Sequence, residues 1–311
     1  MSTVDAELEI AETPAVSPGL ELTEAREAQV GDVAVRRLLP LRLRRSVGSW
    51  CFIDHYGPMS VDGVTGMRVP PHPHIGLQTV TWLISGNVLH RDSLGTEQMI
   101  RPGQLNLMTA GRGIAHAEES PAKHDPSLHG VQLWVALPDA SRQAEPAFSH
   151  HPQLPETGIG GFDVTVFIGS LGGVRSPAMT FSEIVGAELG AARDSSGVIP
   201  LAAAHEHVVF VATGSAEVER TVLRPGQLLY LAPGHDQLDV SAKAGSRLFL
   251  LGGVPLGERL LMWWNFVART PEEIESAVAR WREGGFGSVA DYDGEPLPAP
   301  PLDAVRLSRK A

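Results

Sequence analysis

Two short pairs, His72-Pro-His74 and His116-Ala-Glu118, carry the clearest chemistry in this 311-residue chain. In extended backbone successive side chains alternate between faces, so residues two apart point the same way and each pair forms a pincer. Set on neighbouring strands of a closed sheet, the two pincers would bring three imidazoles and one carboxylate around a point inside a barrel. A first-row metal is held there at about 2.0–2.2 Å. The donor set suits Fe(2+), Mn, Co, Ni or Cu, with an octahedral ion keeping two positions for water, dioxygen or a bidentate substrate. Four donors would equally satisfy a closed tetrahedral Zn site. With 12 histidines in the chain, a single His-x-His is weak by itself. His90-Arg-Asp92 and His205-Glu-His207 repeat the spacing, and His150-His151 are adjacent; these are read as incidental.

The flanking residues say which elements hold the pincers. His72 and His74 follow Pro70-Pro71 and lead into Thr79-Val80-Thr81-Trp82-Leu83-Ile84, a β-branched and aromatic run that ends at Ser85-Gly86-Asn87. Pro73 cannot donate a ladder hydrogen bond, so its segment is expected to be extended and at a sheet edge or strand start. Ala110-Gly111-Arg112-Gly113 is a turn, and Ile114 to Glu118 continues as a strand.

With 33 Gly, 24 Pro, an aromatic share of 6% and mostly short apolar runs, the chain reads as β-rich and long enough for two domains. A formal charge of −11 argues against direct nucleic-acid binding, which needs a basic surface to displace counterions. Cys51 is the only cysteine, so no internal disulfide forms and a reducing compartment fits. No apolar run approaches the roughly 20 residues that span a bilayer, and the acidic start does not read as a secretion signal. A cytoplasmic monomer is expected.

An internal repeat gives the architecture. Arg101-Pro102-Gly103-Gln104-Leu105 recurs as Arg224-Pro225-Gly226-Gln227-Leu228, each copy followed by an apolar strand and preceded by a strand ending in a turn glycine. Two strand, turn, strand units of this kind predict an all-β protein of two tandem jelly-roll barrels. Counted from the shared Pro-Gly, His116 corresponds to Asp239 and Glu118 to Ser241, so the second unit lacks the His-x-Glu pair and is expected to hold no metal. The expected division is an acidic, loosely held arm over 1–30, a metal-bearing barrel over 31–150, and a second barrel with a C-terminal helix over 151–311.

The stretches Pro71-His72-Pro73-His74-Ile75-Gly76-Leu77-Gln78-Thr79-Val80-Thr81 and Met108-Thr109-Ala110-Gly111-Arg112-Gly113-Ile114-Ala115-His116-Ala117-Glu118 resemble the pirin family of the cupin superfamily. So do Asp54-His55 and Gln132-Leu133-Trp134-Val135. The resemblance implies a bicupin whose first barrel binds one iron through His72, His74, His116 and Glu118. It also implies either a quercetinase, which opens a flavonol with dioxygen, or a non-catalytic, redox-sensing iron protein that regulates a protein partner. In the first case a small aromatic substrate such as a flavonol loses its proton to Glu118, which serves as ligand and base in turn. His55 and Gln132 are then expected to orient the imidazoles, and Phe52, Met108 and Trp134 to wall the pocket. Two departures stand out. Gln78 replaces the glutamate of the general cupin pattern, and Trp263-Trp264-Asn265-Phe266 replaces a His-Gly-Pro-Phe stretch, a change expected to leave the metal site untouched.

Near the C-terminus, Thr270-Pro271-Glu272-Glu273 is a helix start with a capping hydroxyl and Pro at the first helical position. Ile274, Val278 and Trp281 form an apolar stripe that should pack on the outside of a barrel. Gly169 to Gly173 is read as an inter-strand loop, since it lacks the Gly-Lys-Ser/Thr ending of a phosphate loop.

Overall fold

The structure, a computed structural model, describes residues 19–30, 33–42, 44–61 and 66–302. Two antiparallel barrels follow one another, each built from a seven-stranded and a four-stranded sheet. The first uses Ala147–His151, Leu105–Thr109, Leu77–Ser85, Ser127–Ala136, Trp50–Ser60, Val33–Leu39 and Arg26–Val30 for its larger sheet. Its smaller sheet runs Arg68–His74, Ile114–Glu119, Val88–Asp92, Glu97–Ile100. Arg68–His74 is thus an edge strand, the place its prolines demand.

Period-two alternation builds two cores from one set of strands. In Leu77–Ser85, Val80 and Trp82 face the second barrel, and the intervening Thr81 points into the first. In Glu206–Thr213 of the second barrel, Val208 and Phe210 face the first barrel, whereas Val209 and Val211 point inward. The layer between the barrels is aromatic: Trp82 stacks on Phe167 at 5.0 Å, and Phe210 on Phe249 at 5.0 Å. Trp50 crosses it fully buried, its indole N–H shared by the carbonyls of Val185 at 3.2 Å and Gly252 at 3.1 Å. Gly186 makes room, because a Cβ there would sit 2.5 Å from the Phe167 ring and 3.1 Å from Trp50.

Both ends of the chain serve the barrel they do not adjoin in sequence. Leu20–Glu24 pairs with Gln227–Leu231 at the edge of the second barrel, and Arg26–Val30 then joins the first. The loose arm expected over 1–30 is therefore corrected for its described part, which is held by ladder hydrogen bonds; residues 1–18 lie outside the described residues. At the other end, the hairpin Leu261–Trp263 and Phe266–Ala268 and the helix Pro271–Arg282 pack with Ile75 and Ala115 of the first barrel. Thr270 caps the helix by accepting from the Glu273 amide, and Ile274 and Val278 are its buried stripe. Gly172 and Gly173, in the expected inter-strand loop, form the turn between the short strands Ser170–Leu171 and Val174–Arg175. Among the described residues, no helix is long and apolar enough to cross a membrane.

Candidate metal centre

The strands Arg68–His74 and Ile114–Glu119 pair antiparallel with His116 directly opposite His72, and a register shift between His116 and Glu118 turns the latter farther along the barrel. One ring nitrogen each from His72, His74 and His116 lies within 4.8 Å of the others, and all three side chains are buried. The Nε2 atoms of His74 and His116 stand 3.0 Å apart.

Which nitrogens carry protons follows from their partners. His72 Nδ1 meets the Pro70 carbonyl at 2.9 Å, and His74 Nδ1 meets the Asn265 carbonyl at 3.0 Å. A carbonyl only accepts, so both Nδ1 atoms are N–H donors. Burial pushes the His72 imidazole down to about 4 and holds His74 and His116 well below the usual histidine value, with neighbouring imidazoles adding to the effect on the latter two. Neutral rings with protonated Nδ1 have bare Nε2 lone pairs. Those of His72 and His74 therefore converge in a buried space without a protein proton between them, an arrangement that a cation satisfies.

Glu118 is buried and forms a second, overlapping set with His116 and His90, again within 4.8 Å. Its Oε1 accepts from the Thr81 hydroxyl at 2.9 Å. Burial raises its carboxyl, against the opposing pull of His90 and of the Thr81 hydrogen bond. The four residues expected around one point thus fall into two sets that share His116. His90, set aside in the sequence as an incidental spacing, belongs to the second: its strand Val88–Asp92 pairs with Ile114–Glu119, placing His90 opposite Glu118 and Asp92 opposite His116. The signal that could have found it is the same two-residue spacing on a strand next to the ligand strand.

A cavity of about 60 Å³ adjoins these residues. Phe52 and Trp134 stack at 4.0 Å along one wall, and Val35, Tyr56, Met67, Val69 and Leu297 are among the other apolar residues that line it. Gln132 also lines it, its amide oxygen 3.0 Å from the Thr81 hydroxyl, whose single proton it shares with Glu118. Three expectations need correction. His55 faces away and meets His129 at 2.8 Å between Nε2 atoms, where burial lowers it to about 3. Met108 does not line the cavity but packs with the wall residues Phe52 and Trp134, and with Cys51 and Leu77, in one apolar cluster, and Gln78 donates to Thr109 at 2.9 Å. Trp263-Trp264-Asn265-Phe266 does touch the site: the Asn265 backbone holds His74, and its side chain lines the cavity. Trp264 takes a φ of +53° in the tight turn that presents it, a conformation uncommon outside glycine and asparagine.

Comparison with known proteins agrees with this geometry. The pirin sequence profile matches residues 32–135, and the profile for the pirin C-terminal cupin domain matches residues 187–287. A Pseudomonas aeruginosa protein with the provisional name quercetin 2,3-dioxygenase is 44% identical over 91% of this chain and 90% of its own. The chain belongs to the pirin family. A pirin-like protein of Caulobacter vibrioides is 35% identical over 89% of this chain and 98% of its own. The crystal structure of a quercetin 2,3-dioxygenase from Acinetobacter baumannii superposes with a TM-score of 0.89 at 40% identity, covering 91% of this pirin and 95% of that chain. The two barrels are accordingly the two cupin domains of a pirin, and the buried His/Glu cluster is suited to binding a metal ion.

Proposed function

We propose that this pirin is a metal-dependent dioxygenase of the quercetinase type, holding Fe(2+) through His72, His74, His116 and Glu118. The observation that carries the reading is the convergence of bare imidazole nitrogens beside a buried carboxyl, in a cavity with a flat aromatic wall. The quercetin 2,3-dioxygenase names of relatives at 44% and 40% identity support a flavonol as the substrate class. The iron would supply the electron transfer that a closed-shell organic substrate needs to react with dioxygen. Glu118, raised by burial, is a stronger base than a surface glutamate and takes the proton of the substrate's enolic hydroxyl. The Thr81 hydroxyl holds that carboxylate in place. The Phe52 and Trp134 stack gives an aryl ring a surface to lie along.

Size sets a condition on this reading. Sites for drug-sized ligands are about 300–1,000 Å³, well above the cavity's 60 Å³. Leu297 walls both this cavity and an outer groove, and its amide donates to the Pro71 carbonyl at 2.8 Å. Movement of this tail segment would open the cavity toward that groove and enlarge it. The small volume of the cavity also favours a second reading, an iron whose oxidation state alters affinity for a protein partner without any organic substrate. Oxygen uptake by the iron-loaded protein with a panel of flavonols separates the two. Uptake that requires both iron and flavonol is expected; its absence, with redox-dependent retention of a partner, favours the sensor.

A further inference from the structure

The tautomers of His72 and His74 are fixed by backbone carbonyls, but His116 has none. Its Nδ1 instead meets His90 Nδ1 at 3.4 Å, and His90 Nε2 meets Asp92 Oδ2 at 3.2 Å. His90, Asp92 and His116 are all buried. The other Asp92 oxygen, Oδ1, accepts the backbone amides of Leu94 at 2.9 Å and Thr96 at 3.0 Å, which pins the carboxylate. Phe148 stacks on the His90 ring at 4.6 Å and fixes its plane.

We propose that Asp92 and His90 form a relay that sets the tautomer of His116 and so prepares its Nε2 to bind the metal. A carboxylate accepts, so the proton on His90 sits on Nε2 and His90 Nδ1 is bare. That bare nitrogen takes the N–H of His116 Nδ1, and His116 Nε2 is left as the third unprotonated donor. The alternative tautomer puts a proton on His116 Nε2, where it would bridge to His74 Nε2 at 3.0 Å in the ion-free site but stand where the ion would sit, and leaves two bare Nδ1 atoms 3.4 Å apart; the relay therefore favours the tautomer that an ion needs. His90 and Asp92 are thus positioning residues, acting through His116. The inference rests on the metal-site reading above and deepens it, since it adds the residues that orient a ligand.

The isosteric variant Asp92→Asn tests it. The amides of Leu94 and Thr96 must keep an oxygen acceptor, so the introduced carboxamide turns its NH₂ toward His90 Nε2. His90 then carries its proton on Nδ1, His116 must accept there, and its Nε2 becomes protonated. An Asp→Asn change that preserves geometry but enforces the wrong tautomer has this logic in the serine proteases. His90→Leu removes the acceptor outright. His90→Asn restores one, since its amide oxygen is attached to Cγ as Nδ1 is. Cobalt(II) is titrated into metal-stripped full-length protein against a chromophoric chelator, and the unfolding midpoint of each stripped protein is recorded alongside.

Asp92→Asn and His90→Leu are expected to weaken cobalt binding by about 10–100-fold, with His90→Asn recovering most of the loss. Equal cobalt affinity in the wild type and Asp92→Asn overturns the relay, as does a His90→Asn no better than His90→Leu. Uptake of two ions by the wild type and one by His90→Leu also overturns it, because His90 would then be a ligand of a second ion. A wild type that takes up no cobalt overturns the metal reading and the relay together; normal wild-type binding with unaltered variants overturns the relay alone.

Discussion

The two barrels carry different interiors on matching strands. The repeated Arg-Pro-Gly-Gln-Leu segments bring them into register: Thr81 pairs with Asn106 and Gln132, and the corresponding Val209 pairs with Leu229 and Leu250. One strand position outward, Trp82 and Phe210, like Val131 and Phe249, face the shared layer between the barrels. The outward set is apolar in both and holds the fold together. At these positions the inward set is apolar only in the second barrel, where it closes into a core, while in the first it is polar and its Thr81 donates to the buried Glu118 carboxylate. The same pleat therefore supports an apolar core or a buried polar cluster, and the inward half of the alternation decides which. The polar interior of the first barrel is only partly paired: Thr81 donates to Glu118 and Asn106 Oδ1 meets His150, while Asn106 Nδ2 has no partner among the described residues, which leaves polar capacity a bound group could use.

The comparison breaks most sharply under His116→Ala and Leu250→Ala. The first is expected to abolish metal retention and turnover with little change in the stability of the stripped protein. The second should cost about 2–5 kcal/mol in urea unfolding and leave metal content per folded chain unchanged. The reverse pattern would erase the distinction between the barrels. Trp50→Ala probes the layer they share and should cost about 3–5 kcal/mol, read from the same denaturant titration.

Acid sharpens the contrast next. Burial holds His72 near 4 in the folded chain against 6.5 when unfolded, and lowers His74, His116, His55 and His129 in the same direction. Below pH 6.5 the unfolded state binds more protons than the folded one, so stability of the stripped protein is full above that pH and falls toward pH 4. His72 alone accounts for about 2–3 kcal/mol by pH 4.5. Unfolding midpoints across this range should fall steeply in the wild type and less in a variant with Asn at positions 72, 74 and 116. Thr81→Val removes a bond that lowers the Glu118 carboxyl, so the acid limb of the pH–rate profile should move to higher pH. Leu297→Ala, which opens the wall toward the outer groove, should raise kcat/KM for the bulkiest flavonols several-fold and leave small ones unchanged, read in steady-state oxygen uptake.

Strand periodicity made the pincers legible in sequence, because side chains two apart need only extended backbone to share a face. It carried less far where partners come from elsewhere in the chain. Asn265 holds His74 from 191 residues away through a backbone carbonyl, which no side-chain pattern records. His90 and Asp92 have the same spacing as His72 and His74, and only strand order tells them from the unrelated His205 and His207. Counting from the Pro-Gly repeat matched Asp239 to His116, yet Asp239 points to solvent between the inward Leu238 and Val240. A one-residue difference in the preceding turn flips every side chain to the other face. The exchange between barrels likewise depends on short pieces, the exposed five-residue edge strand Leu20–Glu24 and the buried three-residue strands of the C-terminal hairpin, too short to announce their partners.

Elemental analysis of protein purified without added metal, beside His72→Ala prepared identically, tests the central claim most directly. A stoichiometric transition metal, iron foremost, is expected in the wild type and none in the variant. Full retention of the metal by His72→Ala, or a metal-free wild type that still consumes dioxygen with a flavonol, would contradict it.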